Sequence, residues 1–345
     1  MKINNKIITF AILLLCFSCN QSAIQVSDIE FINTDTISYE IVDTDLLIGF
    51  PENMLLTDTH LIIQDGEGQD AFFHAVDRNS GLLKFEFGKK GIGPGDMLQI
   101  NWNPIYDREK GEIQTFDHGG RRLCYYSSDG RFISSKNTLE TAGKYGLYIV
   151  DFFDIGNYYL ACGMNGILDE NRFVVFNDSL ELIHSFEKYP DIEYHSNSKI
   201  NKQIETALFN NIFCFKVTPN RQYAVFASYN FGLLEIYKLN GRPDRMVKIK
   251  TLLLTKLLKD GSYIRGFEDI YVTDNYVYAL HNGKTVEENP YCAKSIKIFD
   301  FEGNPVAEHH VGIDMRCLAV DEDEKIIYAV AYSSDDGFFL IRISI

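Results

Sequence analysis

Glu52, Asn101, Asn103, Asp151, Asn210, Asn211, Glu268, Asp269, Asp314 and Arg316 share one context: each stands just before or at the start of an apolar, strand-like run. They come from stretches spread over the whole chain, and they carry carboxylates, amides and one guanidinium. Gathered at one place, oxygen ligands of this kind suit a hard divalent cation such as Ca2+, and a cation so held polarises a carbonyl for hydrolysis. Without a cation, the same groups make a polar mouth that binds a ligand by hydrogen bonds. Asn103, Asp151, Glu268, Asp269 and Arg316 are the expected ligand-binding set. Converging carboxylates in a poorly solvated funnel repel one another, so some of their pKa values should rise unless a cation or Arg316 compensates.

Other chemistries find less support. The glycine-rich stretch Phe87 to Asp96, FGKKGIGPGD, lacks the Gly-Lys-Ser/Thr ending of a phosphate loop, and its glycines at 91, 93 and 95 do not follow the dinucleotide spacing. Glycine and proline at this density make a structured turn between two sheet units. No nucleophile-elbow sequence GxSxG occurs. Neither HExxH nor an EF-hand loop is present, so the pair His309 and His310, and His118 after Asp117, read as edge or loop histidines and not metal ligands. Beyond the N-terminal segment five cysteines remain (Cys124, Cys162, Cys214, Cys292 and Cys317), widely spaced and without a CxxC pair. These are expected to be buried thiols in strands, not a disulfide framework or a zinc site.

The elements that must position the polar set are repeated. Six segments share one plan of apolar strand, polar turn, apolar strand, strand, Asp- or Asn-containing turn, strand. Their first-turn residues Asp58, Asp107, Asn157, Asn220, Asn275 and Asp323 lie 49, 50, 63, 55 and 48 residues apart. A period near 50 is that of a propeller blade. Strands such as YYLACG, YAVFASY and IIYAVAY are apolar nearly throughout, as sheets buried on both faces must be. The expected fold is an all-β, six-bladed propeller of four-stranded antiparallel blades. The last unit has three strands, so an N-terminal strand from residues 24 to 42 is expected to complete it and close the ring. The long interval holds residues 191–210, where Ile200, Ile204 and Leu208 recur at helical spacing and predict a short helical insertion.

At the N-terminus Lys2 and Lys6 precede an apolar run from Ile7 to Phe17, too short to span a membrane in the mature protein and typical of an export signal. Ser18 before Cys19 has the form of a lipobox, with Cys16 where leucine is usual, and predicts cleavage and lipidation at Cys19. The organisation expected is a signal peptide over 1–18, a lipid-anchored tether over 19–35 and a propeller over 36–345. The chain has 33 basic and 48 acidic residues, net −15. Losing Lys2 and Lys6 leaves 31 basic residues and a charge of −17, which disfavours nucleic acid and anionic lipid surfaces as partners.

Taken together, the lipobox and the loop KKGIGPGD at the end of the first unit resemble the GxGPGE/D hallmark of TolB-like six-bladed propeller lipoproteins of Bacteroidetes, with Asp96 where that family more often has Glu. The resemblance implies the fold and an outer-membrane location, and leaves activity unassigned. In gluconolactonase-like propellers a Glu, Asn and Asp set at comparable places holds a divalent cation. Two functions therefore stand as expectations. One is a monomeric, non-enzymatic module that contacts an envelope protein or a glycan and needs no cofactor; the other is a metal-dependent hydrolase or lyase of gluconolactonase or NHL type.

Overall fold

A computed structural model describes residues 27–101, 103–163, 171–188, 213–230, 232–239, 246–254, 264–285, 287–288 and 292–345. The predicted signal peptide over 1–18, Cys19, the predicted helical insertion over 191–210, and Asn210 and Asn211 lie outside these residues. Four antiparallel sheets of four strands follow one another along the chain. Blade one is β3 (Pro51–Leu56), β4 (His60–Asp65), β5 (Ala71–Asp77) and β6 (Leu83–Lys89). Blade two is β7 (Ile105–Asp107), β8 (Glu112–Asp117), β9 (Arg122–Ser127) and β10 (Phe132–Asn137). Blade three comprises β11 (Ile149–Asp154), β12 (Tyr159–Gly163), β13 (Asn171–Phe176) and β14 (Leu182–Lys188), and blade four β15 (Phe213–Val217), β16 (Tyr223–Ser228), β17 (Leu233–Lys238) and β18 (Val247–Leu253).

Blades five and six are joined through one long strand. In blade five β19 (Phe267–Val272), β20 (Val277–His281) and β21 (Ala293–Phe299) are followed by the first half of β22 (Pro305–Asp321). The second half of β22, beyond Gly312 with its φ of 79°, is the innermost strand of blade six and pairs with β23 (Ile326–Ser333), which pairs in turn with β24 (Gly337–Ser344). The fourth strand of blade six comes from the other end of the chain. Strand β2 (Glu40–Ile41) pairs with β24 through Glu40↔Arg342 and Ile41↔Ile341, and closes the ring as its three-strand last unit requires.

The N-terminal segment does more than close the ring. Strand β1 (Thr34–Thr36) adds in parallel to the outer half of β22, Ser27 N donates to Leu253 O at 2.8 Å, and the Phe31 ring lies 5.4 Å from that of Phe299. Residues 27–35, expected to be tether, are therefore laid along the rims of blades four and five. The physical reason is that an outer strand leaves a row of backbone donors and acceptors open, and the passing chain satisfies them.

Each pair of neighbouring blades encloses its own hydrophobic cluster, six in all among the described residues. In β16 the alternation is plain: Ala224 and Phe226 face blade three, while Val225 and Ala227 face blade five. A strand buried on both sides needs apolar residues at odd and even positions alike, which is why these segments read as continuous apolar runs. All five cysteines are buried free thiols in this setting.

The glycine loop makes the crossing from blade one to blade two. Gly93 N donates to Asp96 Oδ2 at 2.9 Å, and a β-carbon at Gly91 or Gly93 would lie 2.6 Å from that oxygen. The glycines thus clear space for the carboxylate that holds the loop. Tyr126 OH donates to Gly95 O at 2.7 Å and fastens the loop to blade two. One short helix, α1 (Leu139–Tyr145), connects blades two and three. It escapes sequence reading because seven residues carry too little periodicity.

Candidate ligand-binding site

All the innermost strands start at one face, here the upper one. In four of them the pairing register slips by one residue just inside the start, at Glu52, Val150, Glu268 and Arg316. A β-bulge re-aims side chains and stacks two successive residues toward the axis. The result is two layers: Glu52, Val150, Glu268 and Arg316 nearer the upper face, with Asn53, Asp151, Asp269 and Cys317 following them along the chain.

The second layer is closed by direct bonds across the axis. Asn103 Nδ2 donates to Asp151 Oδ2 at 2.6 Å, and Asn103 Oδ1 accepts from Phe215 N at 2.9 Å. Lys216 Nζ donates to Asn53 Oδ1 at 2.9 Å, and Asn53 Nδ2 donates to Asp269 Oδ1 at 3.2 Å. Asp269 Oδ1 also accepts from Ile270 N at 2.9 Å, and its Oδ2 from Leu318 N at 3.0 Å. Asn53, Asp151 and Asp269 are each 1% exposed and Lys216 6%, so this is a plug and not a water-filled funnel. Burial raises the carboxyl of Asp151 to about 7 and that of Asp269 to about 6, against the pull of the amides and Lys216. Burial likewise lowers the pKa of Lys216, with Asp269 opposing.

In the first layer Arg316 Nη1 donates to Glu268 Oε2 at 2.7 Å, and Asn282 Nδ2 to Glu268 Oε1 at 2.7 Å. Arg265 Nη1 lies 3.6 Å from Glu268 Oε1, and the Arg316 guanidinium sits 5.1 Å from the Phe50 ring centroid. Glu268 is raised by desolvation, which Arg316 counters. The expected set thus divides: Glu268 and Arg316 are bonded to each other, whereas Asn103, Asp151 and Asp269 lie in the plug. Asp314 stands apart, 3.6 Å from Lys294.

A divalent cation does not fit this arrangement. The oxygens that would bind it already accept from amides, backbone N–H groups and Arg316, and among the described residues no group of three or more His, Cys, Asp or Glu is placed to hold a metal. His309, read from the sequence as an edge histidine, pairs with Asp35 on the rim of blade five.

Beside the plug the upper face opens into a cleft of about 550 Å³ between blades one, two and three, lined among others by Glu52, Phe72, Lys90, Asn101, His118 and Tyr148. Gln64 Nε2 donates to Glu52 Oε2 at 3.0 Å and to Asn101 O at 2.7 Å; Asn101 Nδ2 donates to Val150 O at 2.5 Å. A family model described as TolB-like 6-blade propeller-like matches residues 30–323, which take in every one of these groups.

The chain belongs to the TolB-like propeller family. Among solved structures this TolB-like propeller is similar to a protein of Bacteroides fragilis described as exported, at 13% identity over 91% of this chain and 98% of that one, with a TM-score of 0.56. The β-propeller domain of Cps50 (Swd1) from Myceliophteria thermophila gives 10% identity, 88% and 98% coverage and a TM-score of 0.53. U3-55K gives 7% identity, 89% and 98% coverage and 0.51. At these identities the likeness shows the fold alone. No curated protein matches the sequence.

Three groups of this TolB-like propeller that matter at the site are absent from the expected set: Lys216, Asn53 and Tyr148. Lys216 had a signal, being the single charge inside the apolar run FCFKV. Asn53 directly follows Glu52, but only the bulge reveals that both side chains turn inward. Lys90, assigned to a purely structural loop, lines the same cleft as Glu52 and Asn101.

Proposed function

We propose that the chain is an exported, lipid-anchored propeller that acts as a non-enzymatic binding module at the cell envelope and takes its ligand on the upper face. Export and anchoring are supported by the apolar run ending at Ser18-Cys19, by the family, and by the likeness to a Bacteroides fragilis protein described as exported. No helix among the described residues is long and apolar enough to cross a membrane. The observation that carries the binding reading is the contrast between axis and cleft. The axial carboxylates have their bonds filled by the protein itself, so they offer no reacting group to a substrate, while the adjacent cleft keeps an acid, a base and an aromatic ring at its surface.

Photo-crosslinking in intact cells tests this reading. A benzoylphenylalanine at Leu98, 53% exposed beside the cleft, should give a defined adduct, and one at Tyr276, 36% exposed at the opposite face, should not. Equal labelling from both positions, or labelling from Tyr276 alone, would overturn it. Turnover of a lactone with added Ca2+, abolished by Glu268→Gln, would favour the metal-dependent hydrolase instead.

A further inference from the structure

We propose that the cleft between blades one, two and three binds a neutral saccharide of one or two units. The proposal rests on the upper-face binding reading and gives it a site and a ligand class. Its first support is a fixed aromatic surface. Tyr148 is 38% exposed, yet its ring is held from behind. The Arg121 guanidinium lies over it at 4.8 Å, and that guanidinium is itself tied by a bond from Nη1 to Ile149 O at 2.9 Å. The His118 ring meets Tyr148 edge-on at 5.5 Å, with its Nε2 3.1 Å from the Tyr148 hydroxyl. An aromatic ring immobilised before binding costs little further entropy when a ligand stacks on it. The C–H face of a pyranose presents weakly positive hydrogens to the negative face of such a ring.

The second support is a carboxylate placed for hydroxyl groups. Glu52 rests against Gly66, where an added β-carbon would come within 2.7 Å of Oε1, so a larger residue there would push the carboxylate aside. Gln64 fixes the other oxygen. A carboxylate so oriented accepts hydroxyl donors in charge-assisted bonds, stronger than neutral ones. Opposite in character is Lys90, whose ammonium lies 4.9 Å from the Phe72 ring centroid and whose backbone N donates to Asp70 O at 2.9 Å at the entrance to the glycine loop.

Charge selects among ligands. Glu52 and Lys90 cancel, and burial, with help from Arg121, lowers the pKa of His118 so that it is neutral at physiological pH. A lining of zero net charge that mixes donors, acceptors and an aromatic platform suits an uncharged polyhydroxylated ligand, and the volume matches ordinary small-ligand pockets.

Saturation-transfer NMR on the mature chain tests the proposal with methyl glucoside, galactose, mannose, N-acetylglucosamine, maltose and cellobiose as probes. At least one should receive saturation. Tyr148→Ala should then weaken it by roughly tenfold or more, the scale of one stacked contact, and Glu52→Gln should weaken it too. Tyr148→Phe should retain it within a few-fold, and Asp323→Asn on the opposite face should leave it unchanged. The proposal is overturned by no transfer to any of these neutral probes, by transfer that survives Tyr148→Ala, or, when glucuronate and glucosamine are run beside them as charged probes, by transfer to the charged sugars alone. A negative NMR result together with a crosslink from position 98 would reject the saccharide and leave the binding module standing; loss of both rejects both.

Discussion

Lys216 of blade four reaches across the propeller axis to Asn53 of blade one, its Nζ 2.9 Å from the amide oxygen. Through that amide it is joined to Asp269 of blade five, since Asn53 Nδ2 donates to Asp269 Oδ1 at 3.2 Å. One buried cation thus serves the carboxylates of the two blades that flank its own, Asp151 of blade three and Asp269 of blade five. The role resembles that expected of Arg316, but it falls to a residue one layer deeper.

Removing that cation should cost more at alkaline than at acid pH. Lys216→Met keeps the aliphatic stem and deletes the charge, leaving Asp269 and Asp151 buried without it. At pH 8 the loss should be about 3–5 kcal/mol, the range for breaking a buried pair from one side. At pH 5 it should shrink as the carboxyls take up protons. Urea denaturation at the two pH values measures the difference; equal losses would contradict the pairing.

The plug carboxyls should titrate far above ordinary aspartates. Asp151 at about 7 and Asp269 at about 6 are both raised from 3.8 by burial. A raised folded-state pKa means the native protein holds protons that the unfolded chain has lost. Their contribution to stability is therefore complete below about pH 4 and disappears as pH rises through 6 and 7. Carbon-13 titration of the aspartate carboxyls should show two buried resonances with midpoints in that window. Midpoints at or below 4 for both would refute the assignment.

Ring closure should depend on a very short strand. Only Glu40 and Ile41 pair with β24 as strand residues, supported by Val42 N donating to Leu340 O at 2.9 Å and by Arg342 bonding Glu40 at 2.7 Å. Deleting residues 36–42, or ending the chain after Gly337, opens the interface between blades six and one. Because stability in a repeat ring comes from neighbouring interfaces, the melting temperature should fall by roughly ten degrees or more, on the scale of a few degrees per kcal/mol. An unchanged melting temperature would show that closure lies elsewhere.

Anchoring has a direct test. Cys19→Ala should move the protein from the membrane fraction to the soluble fraction, and mass spectrometry of the wild-type N-terminus should find a lipidated cysteine. Detergent-free retention of the variant in membranes would falsify lipidation as the anchor.

By itself the sequence determined the blade plan, because a strand packed between two neighbours must be apolar at every position and a turn must recur at each blade end. The near-50 spacing of Asp58, Asp107, Asn157, Asn220, Asn275 and Asp323 records that plan directly. It also put Asn103, Asp151, Glu268, Asp269 and Arg316 near the axis, since each stands at or just before the start of an innermost strand, four to seven residues before the first-turn residue of its repeat. Only the tertiary structure decided what those residues do there. Lys216 and Asn53 are 163 residues apart and meet only once the ring has closed. The bulges at Glu52, Glu268 and Arg316 are a matter of pairing register, which shows in no single strand's sequence. Tyr148 looks ordinary along the chain, and the clamp of Arg121 and His118 that makes it a platform exists only where blades two and three meet.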